Sequence, residues 1–154
     1  MPLAFGIDYQ PLSRRNYKVG DSIKVEFPSQ PSVAKSEVAY TFDWSHYYSP
    51  KILYKLLARG YRPRISNSEF KAQTNLGMKT FKRGSVIINV GVQNGLKNED
   101  LHQLLTESAQ QDGVPVYSLK SSQTQSIGMD LGSNNMEPVQ LPKVLLVVGQ
   151  GVSQ

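Results

Sequence analysis

Apolar positions recur along this chain with helical spacing in two places, and each is framed by start and stop residues. In SPKILYKLLARG, residues 49–60, Ile52, Leu53, Leu56 and Leu57 share one face of a helix. Ser49 offers an oxygen to the free amides of the first turn, Pro50 suits the first helical position and Gly60 suits a left-handed stop. NGLKNEDLHQLLTESAQQDG, residues 94–113, repeats the logic, with Asn98 as cap, Glu99 and Asp100 at the positive helix end, Leu101, Leu104, Leu105 and Ala109 facing inward, and Gly113 as stop. Shorter apolar runs read as strands: EVAYTF at 37–42, YRPRISNSEF at 61–70, GSVIINV at 84–90, VPVYSLKS at 114–121 and KVLLVV at 143–148.

The first 36 residues differ in character. Pro2, Pro11, Pro28 and Pro31 punctuate them, and in YKVGDSIKVEF, 17–27, Ile23, Val25 and Phe27 alternate with Lys24 and Glu26, the pattern of a half-exposed strand or hairpin. The reading is a β-rich extension or linker over 1–36 and a domain over 37–154. Within that domain the order is strand, helix, strand, strand, helix, strand, a polar loop from Lys120 to Pro142, and strand. Continuous rather than alternating apolar strands, interleaved with helices, predict an α/β domain of the flavodoxin or Rossmann kind, a mostly parallel sheet of about five strands with helices on its faces. Gly149 and Gly151 after the last strand form a turn that ordinarily opens a helix, so the domain is read as a piece cut after that strand, its incomplete sheet open to self-association.

Composition narrows the function classes. At 154 residues, 39% hydrophobic and 19% charged, the chain has ordinary globular composition. No apolar run approaches the roughly 18 to 20 residues of a membrane span, and MPLAFGIDYQ lacks the basic flank and apolar stretch of a signal peptide. The net charge of +5 is spread along the chain without a basic tract or an aromatic RNA-reading motif, so neither nucleic acid nor membrane is expected as a partner. The lack of cysteine excludes disulfides and thiolate metal sites, and His46 and His102 stand in no zinc-binding spacing. With no G-x-S-x-G elbow either, the reading is a chain without catalytic residues, metal or cofactor.

The residues best suited to bind something lie in DWSHYY, 43–48, between a strand end and a helix start. In open α/β sheets ligands gather at the carboxyl ends of the strands, so the turn at 91–95, leaving another strand, is expected at the same edge. The candidate ligand-binding residues are therefore Asp43, Trp44, His46, Tyr47, Gln93 and Asn94. The competing account makes the aromatics a cover over the helix start, with Asp43 and Ser45 satisfying backbone amides. Lys51, Lys55 and Arg59 form a basic stripe on the first helix, followed by Arg62 and Arg64. It is either a solvated face or a surface for an acidic partner.

Several stretches carry a family resemblance. FDWSHYYSPKILYKLLARGYRPRIS, FKRGSVIINVGVQN, DLHQLLTESAQQDGVPVYSL, IGMDLGS and PKVLLVVGQGVSQ resemble, in that order, the region that follows the catalytic domain in large bacterial zinc carboxypeptidases of the carboxypeptidase A superfamily. That region looks like a class I glutamine amidotransferase-like domain, and the resemblance covers residues 37–154. It implies peptide hydrolysis by a parent protein, a periplasmic or extracellular location, zinc held only in the preceding catalytic domain, and as partners the adjacent peptidase domain and a peptide. The amidotransferase likeness concerns fold alone, because its chemistry needs a cysteine that this chain lacks. The expected role is a noncatalytic accessory domain that supports or shapes access to the neighbouring peptidase domain. The alternatives are a small-ligand- or peptide-binding module using loop 43–48 and the 91–95 turn, and an enzyme whose site another subunit completes.

Overall fold

A computed structural model describes residues 20–22 and 32–143. Its elements in chain order are β1 (Ala39–Phe42), α1 (Ser49–Ala58), β2 (Arg64–Ser66), β3 (Phe70–Thr74), β4 (Gly77–Phe81), β5 (Val86–Asn89), a 3-10 turn (Val90–Val92), α2 (Asn98–Asp112), β6 (Tyr117–Leu119) and β7 (Met136–Pro138). The strands form one sheet of order β4-β3-β6-β1-β5-β2-β7, and every neighbouring pair is antiparallel.

This overturns the expected mostly parallel, flavodoxin- or Rossmann-like sheet of about five strands. Strands joined by a helix do point the same way: β1 and β2, joined by α1, both run opposite to β5. The same holds for β5 and β6, joined by α2, which both oppose β1. The strands within each unit are not adjacent, however. β5 fills the slot between β1 and β2, and β1 fills the slot between β5 and β6. The inner four strands, β6-β1-β5-β2, thus have the interleaved split β-α-β order of ferredoxin-like domains. A hairpin is added outside β6 and a short strand outside β2.

Both helices lie on one face rather than on two. Ile52, Leu53 and Leu56 of α1 and Leu101, Leu104, Leu105 and Ala109 of α2 pack in a single cluster with Tyr40, Phe42, Val86 and Ile88. Gly60 ends α1 at φ 82°, where its N–H reaches Leu57 O at 3.0 Å and that of Tyr61 reaches Leu56 O at 3.0 Å, the paired bonds of a left-handed stop. Gly113 ends α2 at φ 65°.

The opposite face is covered by the polar stretch after β6. Met129, Leu131 and Met136 descend from it onto Ala39, Ile87, Phe70, Phe81 and Leu119. Asn89 Nδ2 holds Leu131 O at 2.9 Å, and Arg64 Nη1 holds Met136 O at 3.0 Å. β1 and β5 are apolar along their length because both their faces are buried, a condition met here by a layer of helices and a layer of loop.

Beyond Phe70, the β3–β4 hairpin also lies where no element was read. Its signal is period two: Phe70, Ala72 and Thr74 are buried while Lys71 and Gln73 are exposed. Asn75 and Leu76 make the turn, closed by Thr74 Oγ1 donating to Gly77 O at 2.7 Å, with Gly77 at φ 109°.

The described residues just before the division at residue 36 pack onto the domain. Val33 is buried in the helix-side cluster, Ser36 Oγ donates to Leu119 O at 2.7 Å, and Asn98 Nδ2 donates to Ser36 O at 2.9 Å. Residues 32–36 are therefore held against the domain through Val33 and Ser36. Most of the hairpin read at 17–27 and all but Lys143 of the strand read at 143–148 lie outside the described residues.

Two outcomes follow from this architecture. Leu131→Ala should lower unfolding free energy by about 2 to 5 kcal/mol in chemical denaturation, because it empties a core layer, whereas Ile127→Ala in the same loop, fully exposed, should stay within about 0.5 kcal/mol. Equal effects would mean that the loop is not a packed layer. Tyr40 is fully buried, accepts Ser36 N–H at 3.0 Å and lies 3.4 Å from Asn98 Oδ1, and burial pushes its phenol above the usual tyrosine value. The folded state therefore favours the neutral phenol, so its stabilising contribution is complete below the ordinary tyrosine pKa and declines as pH rises through the elevated one. Tyr40→Phe should cost about 1 to 3 kcal/mol at neutral pH and reduce the alkaline loss of stability in pH-dependent melts.

Candidate functional site

The antiparallel register separates the two halves of the site expected from sequence. Phe42 at the end of β1 pairs with Val86 at the start of β5, and Ala39 pairs with Asn89. Loop 43–48 thus leaves one end of the sheet and the 91–95 turn leaves the other, about 10 Å of strand apart. The shared edge assumed a parallel sheet, and it is lost with it.

At the far end, Gln93 is buried and spent on backbone. Its Oε1 accepts Arg62 N–H at 2.8 Å and its Nε2 donates to Asn89 O at 2.6 Å, joining the approach to β2 to the exit of β5. Asn94, at φ 50°, and Gly95, at φ 82°, occupy the two left-handed positions of a tight turn closed by Leu96 N–H on Gln93 O at 3.1 Å.

At the near end, Asp43 fastens its loop to the sheet. Its carbonyl accepts the Ser49 hydroxyl at 2.7 Å, and its carboxylate accepts the Ser85 hydroxyl at 3.0 Å and faces Lys79 Nζ at 3.4 Å. Ser49 is consequently not the cap. It is the first residue of α1, its hydroxyl points back at Asp43, and Tyr48 holds the cap position, its side chain not capping the first-turn amides. The Cβ of Trp44 lies 3.7 Å from where a Cβ on Gly84 would stand, and Gly84 has φ 89°, so glycine suits the close passage of the two loops. The His46 carbonyl receives Ser49 N–H at 3.0 Å, and Tyr47 stands exposed with its ring edge-on to Tyr48, centroids 5.0 Å apart. The expected cover over the helix start is therefore partial: Tyr48 is half-buried against the core, while Trp44 and Tyr47 remain open to solvent.

Beneath these aromatics lies a cleft of about 370 Å³ lined by His46, Tyr47, Tyr48, Asp112 and Gly113. Asp112 is buried at the last position of α2, where the negative end of the helix disfavours a carboxylate. Two lysines of α1 compensate it. Lys51 Nζ lies 2.5 Å from Asp112 Oδ1, and Lys55 Nζ lies 3.4 Å from Oδ2 and 3.3 Å from Ser108 Oγ. The basic stripe is thus neither simply solvated nor free for an acidic partner, since two of its three members converge on one internal carboxylate. Asp112 is the site residue that sequence reasoning missed. Its signal was an aspartate at the wrong end of a helix in a chain whose other helix carries lysines four positions apart.

His102 lies elsewhere. Its Nε2 meets Val33 O at 2.7 Å, fixing the 32–36 segment to α2, so the two histidines do not meet. Among the described residues no three His, Asp or Glu side chains are placed to hold a metal ion, and no helix is long and apolar enough to cross a membrane. No family model, curated protein or solved structure matches the chain.

The bonding of Gln93 makes it a structural residue. Gln93→Ala should strand Arg62 N–H and Asn89 C=O and cost about 1 to 3 kcal/mol in denaturant titration, whereas Asn94→Gly, at a left-handed position, should be near neutral.

Proposed function

We propose that this chain is a noncatalytic accessory domain of a zinc-carboxypeptidase-like protein acting in the periplasm or outside the cell, where it supports or shapes access to an adjacent peptidase domain. Zinc and the hydrolytic residues would lie in that neighbour. The reading rests on the resemblance of residues 37–154 to the region after such catalytic domains, carried by its short motifs and not by the amidotransferase-like sheet, which the antiparallel topology replaces.

The observation that best supports it is how the polar groups at both sheet ends are used. Asp43, Ser49, Gln93, Asn98 and His102 each bond another segment of the same domain. Groups engaged in this way hold a frame rigid, and a rigid frame is what a positioning domain contributes. The binding-module alternative loses its 91–95 half, because that turn is at the opposite end from loop 43–48.

A direct assay tests the proposal. The purified chain supplied with zinc should release no C-terminal residue from a peptide, whereas the intact gene product carrying this segment should do so in a zinc-dependent way. Release by the isolated chain that disappears in His46→Ala, or an intact product with no such activity, would overturn it.

A further inference from the structure

The open edge of β7 borders a groove that the accessory role does not use. It is a space of about 420 Å³ between the C-terminal end of α1 and the chain that continues from β7, walled by Leu57 and Tyr61 on one side and by Val139 and Leu141 on the other. Leu57 and Val139 pack against the helix-side core and Tyr61 is buried, whereas Leu141 stands 41% exposed, with apolar surface uncovered. Arg62 is the only charged residue on the walls.

The backbone of Arg62 is fixed, but its charge is not spent. Tyr61 and Pro63 on either side are buried, and the Arg62 N–H is held by Gln93 Oε1 at 2.8 Å. The residue itself is exposed, and among the described residues no carboxylate lies within ion-pair distance of its guanidinium. Asp100 and Arg59 act on the neighbouring Tyr61 phenol with opposite charges, and Glu137, two residues back along β7 from Val139, is not on the walls. The groove is left with the charge of Arg62.

The strand edge supplies the other half of the recognition chemistry. β7 is the last strand of the sheet and pairs on one side only, with β2. Val139 N–H meets Pro63 O at 3.1 Å and Asn67 N–H meets Asn135 O at 3.0 Å, so Asn135, Glu137 and Val139 turn their backbone groups to β2, and Pro138 and Gln140 turn theirs to the open edge. Among the described residues no loop group bonds Pro138 O or Gln140 N–H. An acceptor and a donor two residues apart on one edge are what an added strand bonds.

We propose that this groove receives the C-terminus of an apolar peptide, which pairs with the β7 edge as an added strand, sets an aliphatic side chain against Leu57 and Leu141, and places its terminal carboxylate on Arg62. One unpaired guanidinium matches one carboxylate, in the two-pronged geometry that the two planar groups favour. A basic last residue would meet Arg62 as a like charge. The volume takes roughly one or two aliphatic side chains with their backbone. This assignment does not depend on the accessory role and is tested on the chain by itself, so a parent without peptidase activity would leave it standing.

The test is a titration of the isotope-labelled chain with acetyl-Val-Val-Leu bearing a free carboxylate, with its C-terminal amide and with acetyl-triglycine, followed by the backbone amide signals of Tyr61, Gln140 and Leu141. The acid should move these signals saturably and slow hydrogen exchange at Gln140 N–H. The amide should bind about fivefold to tenfold more weakly, the effect of one charge-assisted pair, and triglycine about tenfold or more weakly for want of side chains. Arg62→Gln should weaken the acid by the same factor and leave the amide unchanged, whereas Arg59→Gln, off the groove walls, should change neither. Leu141→Ala should weaken acid and amide alike by about threefold to tenfold while leaving the rest of the spectrum in place, as its exposure allows. Absence of saturation, equal binding of the amide or of triglycine, wild-type affinity in folded Arg62→Gln, or unchanged exchange at Gln140 would overturn the proposal. Movement of the same signals with protein concentration alone would assign the groove to a second copy of the chain and overturn it too.

Discussion

The central strands β1 and β5 cannot stand with either face in water. Tyr40, Phe42, Val86 and Ile88 project to one side and Ala39, Thr41 and Ile87 to the other, and all are fully buried. Such a pair needs two covering layers, and the rest of the architecture supplies them. Helices α1 and α2 form the first because their crossovers deliver both to the same face of interleaved strands. The second comes from a segment rich in serine, glutamine and asparagine, which contributes only a few large apolar side chains to the work.

That loop can serve as a layer because many of its backbone groups find hydrogen-bond partners as it packs. Gln125 N–H reaches Lys71 O at 2.8 Å, Leu131 N–H reaches Ser122 O at 3.0 Å, and Asn135 Nδ2 reaches Gly128 O at 2.8 Å. A backbone brought against a sheet without such bonds would strand its donors and acceptors at a cost exceeding the gain from three buried side chains. The polar composition that resembles a solvated linker is therefore what lets irregular chain lie over an apolar face. Lys79 acts in a related way at the sheet's outer strand, turning inward over the rings of Tyr117, at 4.8 Å, and Phe81, at 5.4 Å, while facing Asp43.

Asp112 joins the helical layer to itself. A buried carboxylate at a helix's negative end is stable only with cations at hand, and the one-turn spacing of Lys51 and Lys55 brings two. The same arrangement ties the first turn of α1 to the last of α2 beside the aromatic cleft.

Much of the local structure was legible in the chain. The two helices, their glycine stops and the position of β1, β2, β5 and β6 follow from periodicity and left-handed glycines, both of which act over neighbouring residues. Strand adjacency does not. A continuously apolar strand reports burial on both faces and is silent about what buries it or which strand lies alongside. A split arrangement and a parallel one therefore present the same pattern in Ala39–Phe42 and Val86–Asn89. Only the tertiary structure decided that β5 inserts between β1 and β2, and with it that loop 43–48 and Gln93 part to opposite ends while Asp112 arrives beneath the aromatics. Those outcomes depend on pairings between residues distant in sequence, where the free energy resides in contacts that no local window contains.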